Sequence, residues 1–210
     1  MQAPKLVAIF VRHGQTEANK ERRFRGAMEI PLDNVGRQQA LDARGFIAAK
    51  LGAQPLGSAY TSSKQRTQET GNLFFGGPGR TKIIKDFDAL NVGKFSGQKK
   101  TDENMKEIMH YQKNPDEKIP GGERITDFRK RVDPNIKKML EEGEESGKPT
   151  IAFVHSSIIH EVSHLLHHDH NAVKVTPGGI VGVYKRPNGS YYAQALLHGS
   201  NSGQDKEMMS

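Results

Sequence analysis

Two segments of this chain are apolar without alternation: Leu6-Val7-Ala8-Ile9-Phe10-Val11 and Ile151-Ala152-Phe153-Val154. Strands buried on both faces of a parallel sheet read this way. Residues 58–61 and 81–84 are shorter strand candidates. Elsewhere the apolar spacing becomes helical. Val35, Ala40, Leu41, Ala43, Phe46, Ile47 and Leu51 predict a helix over 35–51, capped by Asn34 and ended by Gly52. A second helix is predicted over 64–75, stopped by Gly76-Gly77-Pro78-Gly79. Residues 86–122, rich in Gly, Lys, Asn and Pro, read as an insertion with one helix over 102–113. An amphipathic helix follows over 123–145, interrupted at Pro134. The strand at 150–154 leads into a helix over 156–167, and residues 182–185 and 191–197 form a hairpin across Pro187-Asn188-Gly189. Strand and helix alternate with crossover-length connections. The predicted fold class is therefore α/β: a three-layer α/β/α sandwich with a mostly parallel central sheet.

Composition adds limits. At 210 residues the chain suits one domain, taken as residues 1–198 with a polar tail, 199–210, expected to be disordered. Thirty-one Lys and Arg against 24 Asp and Glu leave a net charge of +7, which favours anionic ligands. The basic residues are scattered with no run of five, so a solvated surface is expected and a nucleic-acid partner is not. With no cysteine there is no disulfide, thiol nucleophile or Cys-based metal site. Residues 1–5 lack the build of a signal peptide, and no apolar stretch reaches the roughly 18–20 residues of a membrane span. A soluble, cytoplasmic protein without a membrane partner is expected. Oligomeric state is not legible in the pattern.

The candidate chemistry sits at strand ends. Arg12 and His13 follow the first strand, with Gly14-Gln15-Thr16-Glu17 offering backbone N–H groups beyond them. Arg66 falls on the first turn of the helix after Ser62-Ser63, and His155 follows the strand at 150–154. Open α/β sheets bind ligands beyond the carboxyl ends of their strands. If these strands are neighbours, two arginines and two histidines converge there. One imidazole can attack phosphorus while the guanidiniums and the second imidazole hold the equatorial oxygens. Arginine's planar fork suits phosphate better than lysine does.

At these residues the chain resembles the histidine phosphatase superfamily, the fold of the cofactor-dependent phosphoglycerate mutases and many phosphomonoesterases. The resemblance rests on Arg12-His13-Gly14-Gln15-Thr16-Glu17 with Asn19, Arg23 with Gly26, Pro31-Leu32, and Gly36 with Gln38-Gln39-Ala40. It continues through Ser62-Ser63, Arg66-Thr67, Gly93 with Phe95 and Gly97, Pro120-Gly121-Gly122-Glu123, and His155. It implies a phosphohistidine on His13, a phosphate pocket lined by Arg12, Arg66 and His155, and Asn19 and Arg23 at its rim. It implies a small phosphorylated substrate, no cofactor and no metal. The family's proton-donating carboxylate, a few residues before the Gly-x-Trp/Phe-x-Gly segment, is replaced by Ala89. Asp88 beside it is taken as the donor, with Asp86 and Glu123 as alternatives. His155-Ser156 stands where the family more often shows His-Gly.

His160-Glu161-Val162-Ser163-His164 competes as a zinc motif, with His170 at the spacing of a third ligand. His167 occupies the position where such sites need glycine, and Met208 and Met209 lie in the polar tail. The plainer reading packs Ile158, Ile159, Val162, Leu165 and Leu166 on the sheet and leaves His160, Glu161, His164, His167 and His168 wet. The expected activity is hydrolysis of phosphate monoesters. The alternatives are mutase-type phosphotransfer and a phosphate-binding pseudo-enzyme.

Overall fold

The computed structural model describes residues 3–199; the tail expected to be disordered lies, from residue 200 on, outside the described residues. Strand β1 (Lys5–Arg12) is followed by a one-turn helix α1 (Glu17–Lys20) and the long α2 (Asn34–Leu51). Next come β2 (Ala59–Thr61), α3 (Gln65–Phe75) and β3 (Lys82–Ile83). After two 3₁₀ turns follow α4 (Asp102–Lys113), α5 (Ile125–Ser146), β4 (Thr150–Val154), α6 (Ser156–His167), β5 (Ile180–Lys185) and β6 (Tyr191–Leu197). The six strands form one sheet in the order β3-β2-β4-β1-β5-β6. The first four run parallel, while β5 is antiparallel to both neighbours.

Side chains alternate across the central strands, as a period of two requires. Ile9 and Val11 of β1 and Ile151 and Phe153 of β4 pack with Ala43 and Ile47 of α2 and Phe74 of α3. Ala8, Phe10, Ala152 and Val154 face the other way, against Phe128, Val132, Ile136 and Met139 of α5 and Ile158 and Val162 of α6. A third cluster lies above the carboxyl end of the sheet. Phe24, Val92, Phe95, Ile108 and Ile119 build it, drawn from the loop after α1 and from residues 86–122.

Two expectations are corrected. Asp33, not Asn34, caps α2: its Oδ1 accepts from the Gly36 N–H at 2.7 Å, and Asn34 is the first helical residue. Helix α5 runs through Pro134 without a break. A proline inside a helix removes one backbone hydrogen bond at a cost of about 3 kcal/mol. Val132, Ile136, Met139 and Leu140 flank it, none more than 3% exposed. Burying each contributes about 1.5–3 kcal/mol, so packing decides the outcome.

Gly14 and Gly36 are required by close approach. A Cβ on Gly14 would lie 2.1 Å from the Gly36 carbonyl oxygen, and one on Gly36 would lie 2.1 Å from that of Gln15. The chain leaving β1 thus presses backbone to backbone on the start of α2, which fixes its direction immediately after His13. Among the described residues no helix is long and apolar enough to cross a membrane.

Candidate active site

Strand register brings the chemistry together. Arg12 pairs with Val154 across β1 and β4, and Thr61 pairs with Phe153 across β2 and β4. The next residues are His13, His155 and Ser62, all at one edge. The His13 N–H donates to the Val154 carbonyl at 2.9 Å, continuing the ladder one residue past β1. The two imidazoles meet edge to face with centroids 5.4 Å apart, and both are buried.

Each imidazole is oriented by its neighbours. His13 Nδ1 lies 2.7 Å from the Gly14 carbonyl oxygen. A carbonyl only accepts, so Nδ1 carries the proton and Nε2 keeps its lone pair. His155 Nε2 lies 2.8 Å from Ser62 Oγ, Ser62 Oγ lies 2.7 Å from Thr67 Oγ1, and the Thr67 hydroxyl donates to the Lys64 carbonyl at 2.7 Å. Followed back from that carbonyl, the chain makes Ser62 donate to Thr67 and His155 Nε2–H donate to Ser62. His155 Nδ1 is then left buried without a partner. Burial holds both imidazoles well below the usual histidine range, and the guanidiniums of Arg66, Arg25 and Arg12 push the same way. A neutral His13 is a competent nucleophile.

Arg66 is fully buried. It donates to the carbonyls of Met28 at 2.7 Å and Gly26 at 3.1 Å, while its Nε has no partner. Burial lowers it to about 10, still cationic at neutral pH. Arg12 donates to the Val175 carbonyl at 2.7 Å and acts on both imidazoles through its charge.

His13, Arg66 and His155 form one end of a cavity that opens to solvent. Arg25 joins them, and sequence reasoning missed it. The only available signal was the cationic stretch Arg22-Arg23-Phe24-Arg25, in which the resemblance selected Arg23. Beyond this end the wall includes Phe24, Val92, Met105, Ile108, Ile125 and Phe128, with Lys100, Gln112, His160, Glu161 and His170 also lining it.

Four expected residues do not line the cavity: Arg12, whose guanidinium is turned to the Val175 carbonyl, and Asn19, Arg23 and Asp88. Asn19 Oδ1 accepts from the Thr16 N–H at 3.1 Å and hydroxyl at 2.8 Å, closing the first turn of α1. Arg23 pairs with Glu21 at 2.5 Å and donates to the Gly97 carbonyl at 2.9 Å. Neither lines the cavity. Nor does Asp88, although Ala89 and Leu90 after it do. The Asp88 carboxylate accepts from the Ser63 N–H at 2.8 Å and from the Ser63 hydroxyl at 2.8 and 2.7 Å. Its oxygens serve as acceptors for the β2–α3 turn, with Lys64 Nζ 3.8 Å from Oδ2. Of the alternatives, Asp86 accepts from Asn135 at 3.3 Å, and Glu123 is gripped by Arg131 at 2.7 Å and by the Asn91 N–H at 2.8 Å.

The expectation of a wet face on α6 also fails for Glu161, which is 2% exposed. It lies against Arg129 of α5, with Nε 3.3 Å from its Oε1. Arg129 also donates to His170 Nε2 at 2.8 Å, His170 stacks on His164, and His160 Nδ1 donates to the His170 carbonyl at 2.7 Å. An arginine organises these residues, and among the described residues no cluster of His, Cys, Asp or Glu is placed to hold a metal.

An unprotonated imidazole nitrogen at a strand tip, a second imidazole and buried guanidiniums, set on a three-layer α/β/α sandwich, are an arrangement able to accept a phosphoryl group. The profile of the histidine phosphatase superfamily (branch 1) matches residues 8–179, and the chain belongs to that superfamily. It is 35% identical over 141 residues to a 2,3-bisphosphoglycerate-dependent phosphoglycerate mutase of Parvibaculum lavamentivorans, covering 63% of this chain and 66% of that one. A Bradyrhizobium diazoefficiens protein of the same name is 30% identical over 183 residues, covering 82% and 84%. A phosphoglycerate mutase structure from Thermus thermophilus superposes with a TM-score of 0.66 at 23% identity, over 92% of this chain and 98% of that one. A candidate alpha-ribazole-5'-P phosphatase from Escherichia coli superposes at 0.70 and 18% identity, over 93% and 97%. Members of the superfamily are phosphatases or mutases acting on small phosphorylated substrates.

Proposed function

We propose that this protein is a phosphatase that hydrolyses phosphate monoesters through a phosphohistidine on His13. The observation that carries this reading is the asymmetry of the cavity: Arg25, Arg66, His13 and His155 gather at one end, while the rest is mostly aromatic and aliphatic, with Lys100, Gln112, His160, Glu161 and His170 set among those side chains. A mutase must hold a second anionic group while the phosphoryl group is parked on the enzyme. Phe24, Val92, Met105, Ile108, Ile125 and Phe128 offer such a group little, with Lys100 the cation among them. An alcohol with apolar surface fits that wall and leaves after transfer, making room for water.

In this mechanism His13 Nε2 attacks phosphorus. Arg66 and Arg25 hold the equatorial oxygens, with Arg12 adding its charge without lining the cavity. His155 Nδ1 meets a phosphate oxygen, taking up a proton as the incoming dianion offsets the guanidiniums. Water then attacks the phosphohistidine.

The test is turnover of p-nitrophenyl phosphate. We expect release of inorganic phosphate, unchanged by EDTA, together with an acid-labile phosphoprotein in rapid quench. His13→Ala should abolish both. Faster interconversion of 2- and 3-phosphoglycerate than hydrolysis of p-nitrophenyl phosphate would overturn the reading in favour of a mutase.

A further inference from the structure

Transfer of a phosphoryl group from an unactivated alcohol needs an acid, because an alkoxide is a poor leaving group. The carboxylates considered from sequence, Asp88, Asp86 and Glu123, do not line the cavity. Glu161 does, and among the described residues it is the only carboxyl group that does. It sits six residues past His155, about 9 Å of helical rise, and helical side chains lean back toward the N-terminus. The carboxyl therefore leans toward the phosphate end from the leaving-group side.

We propose that Glu161 is the proton donor to the leaving oxygen, a catalytic residue supplied by α6 in place of one from the loop that carries Ala89. The inference rests on the phosphatase reading above.

Its surroundings suit the role. Glu161 Oε1 is buried and makes no hydrogen bond. Arg129 stands 3.3–3.4 Å from its two oxygens, longer than the 2.7–2.9 Å of a full charge-assisted bond. From α5 the charged groups acting on it are Arg129 and Asp133; Arg129 also donates to His170, which stacks on His164 and accepts through its carbonyl from His160. Burial pushes the carboxyl up to about 7, with Asp133 adding to the rise and Arg129 opposing it. At neutral pH a large share of the carboxyl is thus protonated. His160 and His170, the other imidazoles on this wall, are lowered by burial, His170 to about 4, and have none to give there.

The step balances. The His13 Nε2–P bond forms as the P–O bond to the alcohol breaks, and the Glu161 proton goes to that oxygen. Arg129 then steadies the carboxylate. In the second half the carboxylate takes a proton from the attacking water, whose oxygen bonds to phosphorus as the N–P bond breaks. Phosphate leaves, and Glu161 is again protonated.

The experiment compares Glu161→Gln and Glu161→Asp with the unaltered protein on p-nitrophenyl phosphate, which needs no acid, and glycerol 2-phosphate, which does. We expect Glu161→Gln to lower kcat/KM, which reports the phosphorylation half alone, by about 100-fold or more on the second and by far less on the first, while kcat falls on both because the base for water is lost. Its glycerol 2-phosphate profile should also lose the fall in kcat above about pH 7, and Glu161→Asp should recover part of the rate. Equal losses of kcat/KM on both substrates, or none on either, overturn the assignment. If Glu161→Gln does not fold, a series of aryl and alkyl phosphates on the unaltered protein decides. A shallow dependence on leaving-group pKa supports an internal acid, and a steep one overturns it. An unaltered protein inactive on every monoester removes the phosphatase reading itself, an outcome distinct from the failure of Glu161 alone.

Discussion

The two ends of the cavity are built differently. At the phosphate end, His13, His155 and Ser62 are placed by strand register, and Arg66 by the first turn of a helix locked to that sheet. Backbone hydrogen bonds and close-packed glycines leave this end little freedom. At the leaving-group end the wall comes from the loop after α1, residues 86–122 and the facing sides of α5 and α6. That end is held by side-chain braces. Arg131 donates to the carbonyls of Asp86 at 2.6 Å, Asp88 at 2.9 Å and Ala89 at 3.3 Å while pairing with Glu123. In the proposed function, rigid backbone serves the constant chemistry of the phosphoryl group, and replaceable side chains shape the part that would select the alcohol.

If this contrast holds, the largest effects should come from the phosphate end. Arg66→Ala should lower kcat/KM on p-nitrophenyl phosphate by about 10³-fold, and Arg66→Lys should not restore it, because one ammonium cannot replace the planar fork. Steady-state kinetics checks both. Gly14→Ala should destabilise the fold by ~3 kcal/mol or more, since the added methyl meets a backbone carbonyl at 2.1 Å; the denaturant midpoint reports it. A loss under 1 kcal/mol would show that this end can yield.

Arg25→Ala should cost about 10²-fold in kcat/KM, whereas Arg23→Ala should stay within about threefold. The pair separates the cation that lines the cavity from the one that pairs with Glu21. Arg131→Ala should act mainly on KM, raising it about tenfold for bulky esters, because it loosens the wall without touching the phosphoryl group. An equal loss in kcat would mean the two ends are coupled. Smallest is the pH effect. With folded-state values of His13 and His155 below the unfolded value of about 6.5, only the unfolded chain takes up these protons as pH drops. Stability should therefore fall below about pH 6.5. Inorganic phosphate should reduce that fall, as thermal unfolding from pH 7.5 to 5.5 will show.

The same contrast explains what could be read from the chain beforehand. Unbroken apolar runs announced β1 and β4, and a residue at a strand tip is placed by the sheet, so His13, Arg66 and His155 were legible as a set. Residues whose position depends on tertiary packing were not. Arg25 and Arg23 are two positions apart in an irregular loop, and only the packing of Phe24 into the third cluster decides which one faces the cavity. Asp88 looked available until Ser63 was seen to occupy both of its oxygens. Glu161 carried a motif that suggested metal or solvent, and its burial follows from the approach of α5, which periodicity in α6 does not reveal. Pro134 misled for the same reason: a local rule was outweighed by packing on a distant surface.

The placement of β1 bears on how the polypeptide is made. Its neighbours, β4 and β5, lie more than 130 positions downstream. On the ribosome this apolar segment therefore emerges with both edges unpaired and stays so until residue 150 and beyond have been translated, on the order of ten seconds at ordinary elongation rates. An exposed strand of that kind recruits other chains. The nascent protein thus has a long window in which a chaperone, or the α2–α3 region already synthesised, must shield residues 6–11, and synonymous changes that slow translation between residues 80 and 150 should lower the soluble yield.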